Sequence, residues 1–173
     1  MGSTKLMRFG LIVFAALLVL LGCTGNSQKI DCSAKVGELK DGCLYDKAVA
    51  ELNPDYCGQM EPPLFNPDFS IAQAMDNCYK EVAVAKADSD VCLQVKDKAA
   101  QAACLTEYAA TTGEQDPCQI LQEPEKTSCA RAGAMREAVL KKDFAYCDSL
   151  KSDDEIFAEC YSKVAACLKG NCQ

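Results

Sequence analysis

The chain has 173 residues, 49% of them hydrophobic and 25% charged, which fits one ordinary globular domain. It contains 13 cysteines and no histidine, and its formal charge is −7. The missing histidine excludes a Ser-His-Asp or Cys-His nucleophile, His-containing zinc sites and C-x-x-C-H haem attachment.

The first 22 residues stand apart. Lys5 and Arg8 lie in "MGSTKLMR", followed by the uncharged apolar run "FGLIVFAALLVLLG" and then Cys23. A basic region ahead of a short apolar run is the pattern of a signal peptide, and the run is too short to span a bilayer comfortably. Its end, "LLGC", places Leu20, Leu21 and Gly22 immediately before Cys23 and resembles the lipobox of prokaryotic lipoproteins, bacterial or archaeal. Leu21 is bulkier than the residues commonest at its position. The resemblance covers only about the first 25 residues, and it implies cleavage before Cys23 and a lipid attached to that cysteine through a thioether. The chain is thereby expected to divide into a signal peptide (1–22), a lipidated N-terminus and tether (23–30) and a mature domain (31–173). Without Lys5 and Arg8 the mature part has 16 basic against 25 acidic residues, a charge of −9. That charge repels nucleic acid and anionic headgroups, so contact with the bilayer is expected through the Cys23 anchor alone.

With Cys23 assigned to lipid, twelve cysteines remain: Cys32, Cys43, Cys57, Cys78, Cys92, Cys104, Cys118, Cys129, Cys147, Cys160, Cys167 and Cys172. Export leads to a compartment where disulfides persist, and an even count suits six bridges. No C-x-x-C occurs, which removes the thioredoxin-type signature. An all-cysteine metal cluster is formally open but has no supporting spacing, and neither metal nor cofactor is expected.

Aligned on cysteine, the mature part falls into five units, starting at Cys32, Cys57, Cys92, Cys118 and Cys147. Three residues after the first cysteine comes an apolar residue (Met60, Val95, Leu121, Leu150), except for Lys35 in the first unit. Five residues after the second comes alanine: Ala48, Ala83, Ala109, Ala134 and Ala165. Leu44, Tyr79, Leu105 and Tyr161 follow the second cysteine directly, and Val82, Tyr108 and Val164 lie at +4. Positions 0, +1, +4 and +5 share one face of a helix, so the second cysteine is expected on a buried helical face, with the alanine admitting a close neighbour. Asp55, Asp90 and Asp116, each two residues before a first cysteine, are expected to cap a short helix of about two turns. Each unit then reads as short helix, turn and longer helix.

Facing residues of a hairpin are symmetric about its turn. Pairing within units puts the midpoints at Gly37–Glu38, Pro67–Asp68, Lys98, Glu123–Pro124 and Asp153–Asp154, with Lys169–Gly170 for the terminal pair; most carry residues that turns favour. The rival scheme, each second cysteine to the next unit's first, centres on Ala50, Ala85, Thr111 and Ala138 in alanine-rich runs and strands Cys32. The expected fold is therefore all-α, about five disulfide-stapled α-hairpin repeats forming an irregular α-solenoid or a compact helical domain. The layout resembles the stapled hairpins of coiled-coil-helix proteins with paired C-x9-C motifs. It departs from them in spacing and in having one bridge per hairpin, so the resemblance implies no function.

Two irregularities stand out. The second unit carries an insertion, "EPPLFNPDFSIAQ", in which Leu64, Phe65 and Phe69 either fold back over the hairpin ends or serve as partner-binding candidates. The interval from Cys129 to Cys147 exceeds the usual spacing by four residues, one helical turn, and is expected to lengthen a helix that Lys141 and Lys142 complete.

No G-x-S-x-G, P-loop or G-x-G-x-x-G is present. Asp153–Asp154 reads as a turn and helix start, and "DSD" at 88–90 lacks the glycine and glutamate of a calcium loop. No catalytic residue is assigned. The expectation is a non-catalytic, lipid-anchored binding or scaffold protein on the extracytoplasmic side of the cell membrane, with an envelope protein as partner. The alternatives are a purely structural envelope lipoprotein, or a redox protein cycling at Cys167–Cys172.

Overall fold

The computed structural model describes residues 30–60 and 71–172, so the signal segment, Cys23 and the candidates Leu64, Phe65 and Phe69 lie outside the described residues. Five α-helices follow in order: α1 (Glu38–Glu51), α2 (Ile71–Lys86), α3 (Lys98–Thr112), α4 (Glu125–Lys141) and α5 (Asp154–Leu168). Between them lie the 3-10 helices η1 (Pro54–Gln59), η2 (Ser89–Gln94), η3 (Asp116–Ile120) and η4 (Phe144–Leu150). There is no strand among the described residues, and the fold is all-α with disulfide staples.

Each second cysteine lies on an α-helix, as its periodicity predicts. The first cysteines of units two to five lie on 3-10 turns rather than short α-helices, and Cys32 lies in a turn. This explains the apolar residue at +3. In a 3-10 helix residues i and i+3 eclipse, and the N–H groups of Met60, Val95 and Leu121 donate to the carbonyls of Cys57, Cys92 and Cys118 at 3.3, 3.2 and 3.1 Å. Cysteine and apolar residue thus point together into the core, where Met60, Val95 and Leu150 are buried. Lys35 makes the same bond to Cys32, at 3.1 Å, with its side chain exposed.

Successive units meet at a repeated joint. Leu52, Ala87 and Lys142 end their helices in the left-handed region, at φ of 51°, 53° and 55°. The next residue's N–H then reaches back five positions: Asn53 to Ala48, Asp88 to Ala83 and Asp143 to Ala138, at 2.9, 3.0 and 3.1 Å. This is the Schellman closure, which satisfies carbonyls that a helix end leaves open. The same three residues turn their side chains forward to accept from the N–H of Asp55, Asp90 and Ala145. One residue thus closes a helix with its backbone and caps the next 3-10 turn with its side chain. The expected caps are corrected accordingly. Asp55, Asp90 and Asp116 lie inside the first turn; for the first two the cap sits two residues earlier, four ahead of the cysteine, and for Asp116 the cap position is one residue earlier. η3 has Gln115 at the cap position with no side-chain bond, and Gly113 at φ 85° makes the turn there instead.

The expected extension is present in α4. Its helix-closing acceptor is Ala138, nine residues after Cys129, whereas Ala48, Ala83 and Ala109 lie five after theirs. The helices pack in series, α1 on α2 through α4 on α5. The +5 alanine of one helix faces the +4 position of the next: a Cβ on Gly133 would lie 3.4 Å from that of Ala109, and Ala134 shares a buried cluster with Val164. Ala48, Ala83 and Ala109 are fully buried. The core is thus rich in alanine, valine and cystine sulfur, with Leu105 and Tyr108 its largest fully buried side chains. A helix of 14 to 17 residues is marginal alone in water, and a staple closing a loop of about a dozen residues supplies about 3 kcal/mol by constraining the unfolded chain.

Candidate functional site

The sequence nominates the cysteines first. All twelve after Cys23 are paired within their own units: 32–43, 57–78, 92–104, 118–129, 147–160 and 167–172. In the five hairpin bridges the Cα atoms lie 5.7–5.8 Å apart, and the rival scheme is not formed. Five of the six expected midpoints fall in the described residues and coincide with helix boundaries. Gly37, Asp97, Pro124 and Asp153 immediately precede α1, α3, α4 and α5, and Gly170 follows α5 at φ 91°. Eleven of the twelve cysteines are buried, and Cys172 alone is exposed. The 167–172 bridge is therefore more open to an attacking thiolate than the hairpin bridges, whose cysteines are all buried.

The carboxylates considered for acid–base or calcium chemistry have structural employment. Asp153 accepts from the Ile156 N–H at 3.2 Å and pairs with Arg131 at 3.3 Å. Asp88 accepts from Asp90 and holds Lys86 at 2.8 Å, a bond that keeps its carboxyl below the ordinary value of 3.8. Asp76 is shifted the other way, chiefly by burial, although the Lys96 backbone donates to it. Among the described residues no group of three or more cysteines or carboxylates could hold a metal ion, and no helix is long and apolar enough to cross a membrane.

Two grooves flank the joint between the third and fourth hairpins, and neither was legible in the sequence. The larger, about 560 Å³, lies against Gly113 and is lined by Glu114, Gln115, Glu137, Leu140 and Lys141 among others. Its carboxylates are held by neutral donors: the Tyr108 hydroxyl donates to Glu114 at 2.7 Å, and the Gln115 amide to Glu137 at 3.2 Å. Burial, then the Glu114 bond and charge, pushes the Tyr108 phenol up to about 12. The second groove, about 410 Å³, runs between the start of α3 and the end of η3, past Gln101, Ala102, Ile120 and Leu121. The Gln101 amide, buried there, donates to the carbonyls of Cys92 and Leu93 at 3.4 and 3.5 Å and accepts from Lys98 at 3.1 Å. No buried side-chain nitrogen or oxygen among the described residues lacks a partner. The Glu114 and Glu137 bonds lie at the joint between hairpins and Gln101 braces its own hairpin, and none of these groups is poised as a nucleophile.

At the other end of the series an aromatic group covers part of α5. Phe144 stacks on Tyr161 with centroids 4.6 Å apart, and Phe157 meets the same ring at 4.7 Å. Tyr161 occupies the position of the buried Leu44, Tyr79 and Leu105 yet is 37% exposed, because among the described residues no further hairpin lies beside it. At the first hairpin Val36 and Leu39 are exposed on either side of the turn residue Gly37. Comparison with protein-family models, curated proteins and solved structures finds no match to this chain.

Proposed function

We propose that the protein is a non-catalytic, lipid-anchored binding or scaffold protein of the cell envelope, tethered through Cys23 with its hairpins on the extracytoplasmic side. The observation that carries the reading is the cysteine balance. The twelve cysteines after Cys23 pair completely, which leaves Cys23, inside the lipobox-like "LLGC", as the sole thiol available for acylation. Six disulfides suit an oxidising compartment, and a stapled scaffold whose carboxylates Asp88 and Asp153 are engaged in structural bonds suits holding rather than converting a partner. The partner is an envelope protein, approached through apolar residues at the hairpin turns: Val36 and Leu39, with Leu64, Phe65 and Phe69 as sequence candidates. Labelling cells with a radioactive fatty acid tests the anchor. The wild-type chain is expected to take up label and sediment with membranes, and a Cys23→Ala variant to do neither. Uptake of label by Cys23→Ala would refute the anchor, and an exhaustive in-cell crosslinking search that captured no envelope protein would refute the partner.

A second reading is favoured by one observation, the exposure of Cys172. The 167–172 bridge would then exchange with external thiols. A reduction potential below about −300 mV, as in structural disulfides, would remove that reading.

A further inference from the structure

The uncovered flank of α5 is self-complementary. At about 100° per residue from the bridging cysteine, Asp154, Phe157, Ala158, Tyr161, Ala165, Leu168 and Lys169 fall between about 60° and 180°, one continuous strip. On α1, α2 and α3 the heart of that strip, positions +1 and +5, is buried against the neighbouring hairpin. On α5 Tyr161 is 37% and Leu168 54% exposed. At +8, where Leu168 sits, the other helices carry Glu51, Lys86, Thr112 and Glu137. The end of the series thus presents an apolar face of the kind that elsewhere in this chain receives a hairpin.

The first hairpin of a second copy is a poor occupant. A docking hairpin brings its +4 residue to that face, and in the later units this is Val82, Tyr108, Gly133 or Val164. In the first unit it is Lys47, whose ammonium lies 4.5 Å over the Tyr56 ring. Continuing the stack from copy to copy would strip water from that charge.

The strip of a second α5 fits better. In an antiparallel pair with its two-fold axis at Tyr161, Phe157 of one copy lies opposite Ala165 of the other, large against small. Asp154 at one end then approaches Lys169 of the partner at the other. Both side chains are solvent-exposed, and among the described residues neither is in an ion pair within its own chain. The rings of Phe144 and Phe157 brace Tyr161 from its own hairpin, so the central residue is ordered before contact. We infer that two copies of this chain associate through α5 in an antiparallel, two-fold interface centred on Tyr161 and flanked by two Asp154–Lys169 pairs. The inference rests on α5 alone and is independent of lipid attachment.

The test is zero-length carbodiimide crosslinking of the full chain in detergent, using an equal mixture of ¹⁴N and ¹⁵N protein, followed by reduction, digestion and mass spectrometry. Within one helix Asp154 and Lys169 are about 22 Å apart, so their isopeptide forms only between chains. The expected result is a mixed-isotope Asp154–Lys169 link. It falls at least tenfold in Leu168→Glu, an exposed position where the far-ultraviolet circular dichroism should stay unchanged. The double exchange Asp154→Lys with Lys169→Asp restores the link with its partners reversed, and this arm does not depend on how Leu168→Glu folds. Absence of any mixed-isotope link at 100 μM protein, links confined to other residues, or a link that survives Leu168→Glu would each overturn the inference. So would finding, by pull-down from membranes, that the α5 face is filled by a different protein while no mixed-isotope link forms.

Discussion

Asp88 and Ala83 are joined by a backbone hydrogen bond of 3.0 Å that ends one hairpin's helix, while the Asp88 carboxylate accepts from the Asp90 N–H and begins the next. Asn53 and Asp143 repeat the arrangement with Ala48 and Ala138. The orientation of successive hairpins therefore depends on a small polar side chain at three of the joints, and on Gly113 at the one before η3. Replacing Asp88 by alanine removes the cap and keeps the backbone bond. The expected loss is about 1 kcal/mol, read from urea unfolding of the oxidised protein, with Asp88→Asn close to wild type. Because the Lys86 hydrogen bond holds the Asp88 carboxyl below 3.8, the contribution is present above that value. It fades as pH falls through the folded-state pKa, and the Asp88→Ala penalty should shrink there.

Two helix glycines should respond with opposite sign. A Cβ at Gly133 would meet the Gln115 Cγ at 2.8 Å and the Glu114 carbonyl at 3.3 Å, in the closely packed seam between α3 and α4. Gly133→Val is expected to lose roughly 2–3 kcal/mol through overpacking. Gly42, exposed on α1, has nothing within 4 Å of its Cβ position. Gly42→Ala is expected to gain up to about 1 kcal/mol from reduced backbone entropy in the unfolded chain. Urea midpoints of the two variants decide the matter.

The bridges should open in order of exposure. A limited dose of a phosphine reductant near neutral pH, quenched by alkylation, is expected to label Cys167 and Cys172 first, since Cys172 is exposed and the hairpin sulfurs are buried. Removing that bridge by a double change to alanine should cost less than removing 92–104, for which about 2–5 kcal/mol is expected. Early labelling of Cys92 or Cys104 would contradict the burial order.

Alkaline titration reports the joint beside the larger groove. The Tyr108 phenol, raised from 10.0 to about 12 by burial and by Glu114, binds its proton more tightly in the folded state. Its stabilisation is complete below pH 10 and is lost as pH rises through about 12. Absorbance at 295 nm should show several tyrosines ionising late in the wild type, since burial raises Tyr45 and Tyr79 as well as Tyr108. In Tyr108→Phe the late absorbance change is expected to shrink by one tyrosine, and the fall in stability above pH 10 to become shallower.

Much of the fold was legible because cysteine position and helical period agree. The spacing of Leu44, Ala48 and their equivalents places the second cysteines on helices, and the symmetry of each pair about Gly37, Lys98, Pro124 or Asp153 locates the turns. The joints were harder to read for a physical reason. Leu52, Ala87 and Lys142 adopt left-handed backbone without being glycine, so the usual signal of a helix end is missing. The 3-10 character of the first segments hid the true caps, since an aspartate two residues before the cysteine reads as an N-cap in an α-helix. The groove residues Glu114, Gln115 and Glu137 meet across 22 residues or more of chain, and no local pattern announces them. By periodicity Tyr161, like Tyr79, belongs to a buried stripe. Its exposure follows from its place at the end of the series, which periodicity does not register.

The most direct test of the proposed lipid-anchored, stapled scaffold is non-reducing peptide mapping by mass spectrometry of protein extracted from native membranes. Cleavage at Lys126, between Cys118 and Cys129, leaves two peptides that stay joined only if that bridge exists. The account predicts this linked pair, together with an N-terminal peptide that begins at Cys23 and has the added mass of a lipid. Free thiols at Cys118 and Cys129, or an N-terminal peptide retaining residues 1–22 with an unmodified Cys23, would contradict it.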